Sequence, residues 1–184
     1  IDCRGAYYGC GRVIKCTEHW AGHAANMETA IAWSCNSYFS QILRFIIDKD
    51  HDPAEGLVQW DNYVHEFGLG HSLGIDLPGE YSGYIPDTTH YNKVFGENRW
   101  NSCTIVSLGI GQGEITETPL QIANLMCVIG NHGYYYTPHL VDKIDGDTSN
   151  LLKKYKVKHE AAAVSEEDYQ IVTQGMEDVV EKGN

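Results

Sequence analysis

Three things are scarce in this chain of 184 residues: an initiating methionine, a long apolar run and positive charge. It begins Ile1-Asp2-Cys3, and no stretch approaches the ~18 consecutive apolar residues that a membrane-spanning helix needs. The expectation is a piece of a longer protein whose leader or anchor lies elsewhere, so the compartment is not legible from these residues. Lys and Arg number 13 against 25 Asp and Glu, a formal net charge of −12. The one cationic cluster is the short "LLKKYKVK" of Leu151 to Lys158. A phosphate backbone would meet repulsion over most of this surface, which excludes nucleic acid as a partner. No linker or repeat divides the chain, and 42% hydrophobic residues can build a core, so a single domain is expected.

Helical periodicity organises much of what is present. From Met27 the apolar positions Ile31, Cys35, Phe39, Ile42 and Ile46 recur at helical spacing, and the break at Ser34 to Ser37 predicts one helix ending and another beginning. Asp52-Pro53 opens a helix with a face of Leu57, Trp60, Val64 and Phe67, stopped at Gly68 and Gly70. Leu77 to Asn101 carries "LPGE" and "IPD" turns among aromatics and reads as surface loops. "TIVSLGIGQG", Thr104 to Gly113, joins a β-branched strand signal to a glycine loop. "TPLQ", Thr118 to Gln121, is a capping box with Pro at the first helical position. The helix it opens is apolar nearly all round, which predicts burial. "YYYTPHLVDKI" reads as extended, and Ser165 with Asp168 caps a last helix through Tyr169, Val172, Met176 and Val179. Residues 1–23 lack periodicity and read as an irregular loop that needs a staple to overcome its conformational entropy.

Two sets of residues in this frame can carry chemistry. Ser34 and Asn36 interrupt an apolar face with a hydroxyl and a carboxamide; at the mouth between two helices one can relay a proton and the other can hold an amide. A plain structural role also suits them, with Asn36 or Ser37 as N-cap of a helix starting near Tyr38. The second set is Cys3, Cys16, His23 and Cys35, three thiolates and an imidazole suited to a closed, structural tetrahedral zinc site. Cys10 and His19 are spare ligands, and the spacing is not that of a zinc finger. Disulfides from Cys3 to Cys10 or Cys10 to Cys16, or unpaired buried thiols, are the alternatives. Cys103 and Cys127 are assigned to the core.

The glycines of "GIGQG", Gly109, Gly111 and Gly113, invite a phosphate-loop reading. No Lys-Ser or Lys-Thr follows, and Glu114 and Glu117 would repel phosphate, so a tight backbone route is the better account. His51, His71, His90 and His159 are expected at the surface, and His132 and His139 at turns. Tyr134, Tyr135 and Tyr136 fit either a ligand groove or alternate burial on a strand. Trp100 is a candidate substrate contact.

"SCNSYFSQI", "FGLGHSLGIDLPGE" and "SLGIGQGEITETPLQIANLMCVIGNHGYYYTPHLV" occur in that order, and with them the chain from Gly22 onward resembles the transpeptidase domain of class B penicillin-binding proteins, most of all the elongation type, penicillin-binding protein 2. The resemblance implies an α+β fold of the penicillin-binding-protein and β-lactamase kind, here a mostly helical part with few strands. It implies peptidoglycan D,D-transpeptidation, acyl transfer from D-Ala-D-Ala stem peptides through a serine ester. Of the family's three motifs only Ser-x-Asn is present, as Ser34-Cys35-Asn36; no Ser-x-x-Lys and no Lys-Thr-Gly or Lys-Ser-Gly occurs. Residues 1–184 are therefore expected to be a single incomplete domain lying between those motifs, inactive by itself, with residues 1–35 a Cys/His-rich loop leading to Ser-x-Asn.

By the same resemblance, Ser34 passes a proton between the nucleophile's lysine partner and the leaving amine, and Asn36 binds the peptide backbone or the penicillin side-chain amide. Gly111, Gln112 and Gly113 are assigned to substrate binding, and catalysis needs no cofactor. The implied partners are stem peptides, β-lactams, a glycosyltransferase and a cell-elongation scaffold, on the periplasmic side of a membrane to which the parent is anchored. The rival is a β-lactam or peptidoglycan sensor, or a zinc-stapled binding module, without turnover.

Overall fold

The computed structural model describes the chain except for residues 2, 18–21, 147, 162 and 183–184. His19, a spare ligand in the sequence reading, lies outside the described residues. The element order is β1 (Ala6–Tyr7), β2 (Ile14–Lys15), α1 (Met27–Ala32), α2 (Asn36–Ile47), α3 (Pro53–Glu66), α4 (Thr88–Phe95), a 3₁₀ turn (Val106–Ile110), α5 (Pro119–Gly130), β3 (Tyr134–Tyr136), a second 3₁₀ turn (Leu151–Lys156), β4 (Lys158–Glu160) and α6 (Glu166–Glu181). The chain is thus rich in helix, and its strands form two separate antiparallel pairs, β1 with β2 and β3 with β4. It divides into two compact units: residues 1–61, 86–115 and 165–184, and residues 62–85 and 116–164.

In the first unit, α1 and α2 meet where the apolar pattern breaks. Asn26 and Thr29 form a reciprocal capping box on α1, which ends at Ala32 with Trp33 as C-cap. Cys35 caps α2, its Sγ accepting from the Tyr38 N–H. Neither Asn36 nor Ser37 is the cap, because the sulfur one residue earlier already takes the orphan donor. The buried face of α2 is Ser37, Tyr38, Ser40, Leu43 and Ile47 rather than the Ile42 and Ile46 stripe. Leu43, Ile47 and Leu57 of α3 join Tyr91, Trp100, Ile105 and Leu108 in one core cluster. Each such aliphatic side chain contributes about 1.5–3 kcal/mol on burial.

Several expectations for this unit need correction. Leu77 to Asn101 is not all surface loop: Asp87 caps α4 by accepting from the His90 N–H, and Tyr91 and Trp100 sit in the core. Trp100 is 6% exposed, with Nε1 donating to Asn92 Oδ1, so it is a packing residue and not a substrate contact. Residues 104–113 form a 3₁₀ turn, not a strand. Gly109 explains the turn's position: a Cβ there would lie 2.8 Å from the Phe39 carbonyl oxygen, so only glycine lets the turn press on α2. Ser165 caps α6 as expected, accepting from the Asp168 N–H.

In the second unit, α5 carries the expected Thr118–Gln121 capping box with Pro119 at its start. It is not buried all round. Gln121, Asn124 and Val128 are buried, whereas Leu120, Ile122 and Met126 are exposed. Cys127 is exposed too, correcting its core assignment. The Tyr134–Tyr136 strand alternates, with Tyr135 buried and Tyr136 exposed, and only these three residues of the expected extended run are strand. His159 is half-buried, stacked on Tyr135 and within 3.2 Å of Thr137 Oγ1. Val128, Leu73 and Tyr135 form the core of this unit. Its loops are held by carboxylates: Glu80 accepts from the N–H groups of Leu73, Gly74 and Ile75, and Asp76 from those of Leu140 and Val141.

Candidate functional site

Ser34 stands between α1 and α2 with φ 48°, a left-handed conformation uncommon outside glycine. Its N–H donates to Ile31 O, ending α1, and the residue is exposed. Backbone strain held at an exposed serine is the kind of outlier that concentrates at functional sites. Asn36, the first residue of α2, donates from Nδ2 to the Lys15 carbonyl at 2.9 Å. That bond fixes which way the carboxamide faces, since only the nitrogen can donate. Its second N–H and its Oδ1 are left for other groups.

Lys15 belongs to β2, so the Cys/His-rich loop positions Asn36. No local pattern in the sequence announces this contact, which spans 21 residues. The same loop reaches the glycine turn: Arg12 donates to Ser107 Oγ at 3.0 Å, and Ser107 O accepts from the Gln112 N–H. Gly111 and Gly113 follow with φ values of 66° and 89°. A second tie joins loop and helix. Arg44 on α2 donates to the Tyr7 hydroxyl at 2.7 Å and to Ser102 Oγ at 3.0 Å, and Asp48 accepts from Arg44 and from Ser102. Only the Arg44–Asp48 part of this network, at helical i, i+4 spacing, was readable from the sequence.

The four metal-ligand candidates come together. Cys3, Cys16, His23 and Cys35 are all buried, and their ligand atoms lie within 4.8 Å of one another. Cys3 Sγ and Cys35 Sγ are each 3.7 Å from Cys16 Sγ, and His23 Nδ1 is 3.7 Å from Cys3 Sγ. A tetrahedron with Zn–S bonds of about 2.3 Å has S···S edges of about 3.8 Å, so the spacing fits such an ion. The Ser37 N–H donates to Cys16 Sγ and the Tyr38 N–H to Cys35 Sγ, contacts that suit thiolate acceptors. Burial pushes the Cys16 and Cys35 thiols above the ordinary value, so thiolates here need a cation beside them.

Cys10 is not among these ligands. It forms a disulfide with Cys103, which corrects both the spare-ligand reading of Cys10 and the core assignment of Cys103. The bonds from Cys10 to Cys3 or Cys16 are likewise replaced. Cysteines 93 residues apart give no local signal that they will meet. The staple expected for the first 23 residues is therefore present in two chemically distinct forms.

The sequence matches the family described as "Penicillin binding protein transpeptidase domain" over residues 1–184. Among curated proteins it is 29% identical over 163 residues to the peptidoglycan D,D-transpeptidase MrdA of Acinetobacter baumannii, covering 88% of this chain and 23% of that protein. The chain thus spans about a quarter of the length of that relative. Among solved structures it is similar to PBP2 of Pseudomonas aeruginosa, with a TM-score of 0.79 and 23% identity over 98% of this chain and 37% of the other. PBP2 of Helicobacter pylori, in complex with MreC, gives a TM-score of 0.73 and 23% identity over 99% of this chain and 31% of the other. Both structural matches are to the fold.

Proposed function

The chain belongs to the penicillin-binding-protein transpeptidase family, and from that premise we propose that its parent is a peptidoglycan D,D-transpeptidase in which residues 1–184 form one incomplete domain supplying the Ser-x-Asn side of the catalytic cleft. The observation that supports this most is the pairing of an exposed, left-handed Ser34 with an Asn36 whose carboxamide is oriented by the Lys15 carbonyl.

In this reading a nucleophilic serine from a motif not in this sequence attacks the carbonyl of the D-Ala-D-Ala peptide bond. The C–N bond breaks, D-Ala leaves as the amine, and the acyl group stays as a serine ester. An amine of a neighbouring strand then attacks that ester, forming the cross-link and freeing the serine. Ser34 relays the proton that the departing amine needs. Asn36 uses its remaining N–H to hold the donor's amide carbonyl and its Oδ1 to face the motif lysine. Gly111, Gln112 and Gly113 border the site through the turn that Arg12 holds. A β-lactam enters by the same acylation.

The cysteine cluster serves this site as a structural zinc centre. Cys3, Cys16, His23 and Cys35 would be its four ligands, leaving no open position for catalysis. It joins the loop that carries Lys15 to the start of α2. The parent works on the periplasmic side of the membrane, where the Cys10–Cys103 disulfide can persist. No described helix is long and apolar enough to span a bilayer. The Helicobacter pylori relative is seen with MreC, and a scaffold of that kind and a glycosyltransferase are the partners proposed here.

Fluorescent-penicillin labelling of the full ectodomain, of this chain and of an ectodomain Ser34→Ala variant tests the reading. The ectodomain should label, this chain should not, and Ser34→Ala should slow acylation by about 10²-fold or more while unfolding at nearly the same temperature. A folded ectodomain that does not take up penicillin would refute transpeptidation and favour a binding module built on the cysteine cluster. Metal analysis should find one zinc per chain, lost in Cys16→Ser; an ectodomain purified with no metal and intact stability would remove the zinc assignment.

A further inference from the structure

We propose that Lys15 selects acyl donors that carry a free carboxylate next to the amide held by Asn36; the inference rests on the transpeptidase reading above and names the substrate class of that site. The Lys15 backbone carbonyl is the group that orients the Asn36 carboxamide, 2.9 Å from Nδ2. The side chain of the same residue is exposed, and its ammonium has no ion-pair or hydrogen-bond partner among the described residues. A cation on a flexible four-carbon stem therefore rises from the residue that touches Asn36. The amide that Asn36 binds brings the donor's neighbouring side chain within reach of that stem.

The rest of the surroundings makes this cation distinctive. The chain has 25 acidic against 13 basic side chains, so an unpaired lysine beside the cleft stands out against a repulsive background for anionic donors. Arg12, three positions earlier on the same loop, already donates to Ser107 Oγ. The nearby Arg44 is engaged with Tyr7, Ser102 and Asp48. Lys15 is thus the loop cation left uncommitted. Its natural match is a stem peptide in which the residue before the D-Ala-D-Ala pair bears a free carboxylate, rather than a neutral or basic end.

Benzylpenicillin and carbenicillin test this, because they differ by one carboxylate on the carbon adjoining the side-chain amide. Acylation rate constants for both are measured on the full ectodomain, and the ratio of carbenicillin to benzylpenicillin is the readout. Lys15→Gln leaves the backbone carbonyl in place and should lower that ratio about fivefold, the size of a partly exposed ion pair. Lys15→Glu should lower it further, Lys15→Arg should keep it within about twofold, and added salt should lower it in the parent but not in Lys15→Gln. A ratio unchanged in Lys15→Gln and Lys15→Glu, while benzylpenicillin still acylates, overturns the inference and leaves the transpeptidase reading standing. A ratio that responds to Arg12→Gln instead of Lys15→Gln also overturns it. If the folded ectodomain takes up neither penicillin, the reading beneath the inference fails and the inference falls with it.

Discussion

Each unit of this protein contains a long segment with little regular structure, and the two segments are held by opposite chemistry. Residues 1–23 are held by sulfur: three thiols and an imidazole within 4.8 Å, and a disulfide to Cys103. Residues 73–80 are held by oxygen, with Glu80 accepting three backbone N–H bonds and Asp76 pinning Leu140 and Val141. Sulfur staples act over long sequence separations and respond to metal and redox state. Glu80 closes a loop of only a few residues by hydrogen bonds of ordinary length, and the Asp76 contact responds to protons. The stronger and less local device lies where Asn36 must be oriented.

If that contrast is right, the largest effect should come from the metal site. Stripping the ectodomain with a tight chelator, or replacing Cys35 by Ser, should lower stability by several kcal/mol, a fall in melting temperature of about 10 °C. Calorimetry with and without added zinc checks this, and only the chelator effect should reverse. The Cys10–Cys103 disulfide comes next. Replacing both cysteines by Ser should cost about 2–4 kcal/mol in urea unfolding, with zinc content unchanged. Loss of zinc in that variant would show that the two staples are one cooperative device.

In the second unit the effects should be smaller. Glu80→Gln weakens three charge-assisted bonds, and about 1.5–3 kcal/mol of local stability should be lost, read as faster proteolysis within residues 73–80. Neither chelator nor reductant should mimic it. The smallest effect is a pH response at Asp76. Hydrogen bonds from the Val141 and Leu140 N–H groups hold its carboxyl below the usual carboxylate range. A group lowered on folding stabilises above its unfolded value, about 3.9, and that contribution is lost as pH falls through the lower folded value. Amide exchange at Leu140 and Val141 should accelerate at that acidic end in the parent, and Asp76→Asn should flatten the pH dependence.

Much of the local architecture was legible without coordinates. The Thr118–Gln121 box, the Ser165 cap and the helix break at Ser34 all rest on interactions within a few residues, so they are written into short sequence patterns. α4 was hidden because its eight residues mix Thr, His, Asn and Lys with a few aromatics and show no long apolar stripe. The α5 helix misled in the other direction: an apolar composition does not say which face is covered, and Gln121 is buried because its side chain bonds the carbonyls of His71 and Ser82.

For the site, residue identity was readable and partnership was not. Ser34, Asn36 and the set Cys3, Cys16, His23 and Cys35 stand out by residue type and, for the first pair, by family resemblance. That the four ligands converge, that Cys10 leaves them for Cys103, and that Asn36 is oriented by Lys15 were decided by tertiary structure. Caps and helical faces are satisfied within one or two turns of the chain and are fixed by neighbours in sequence. A thiol or carboxamide can be satisfied by any of several partners, and only the packing of α2 against the loop brings one of them within bonding distance.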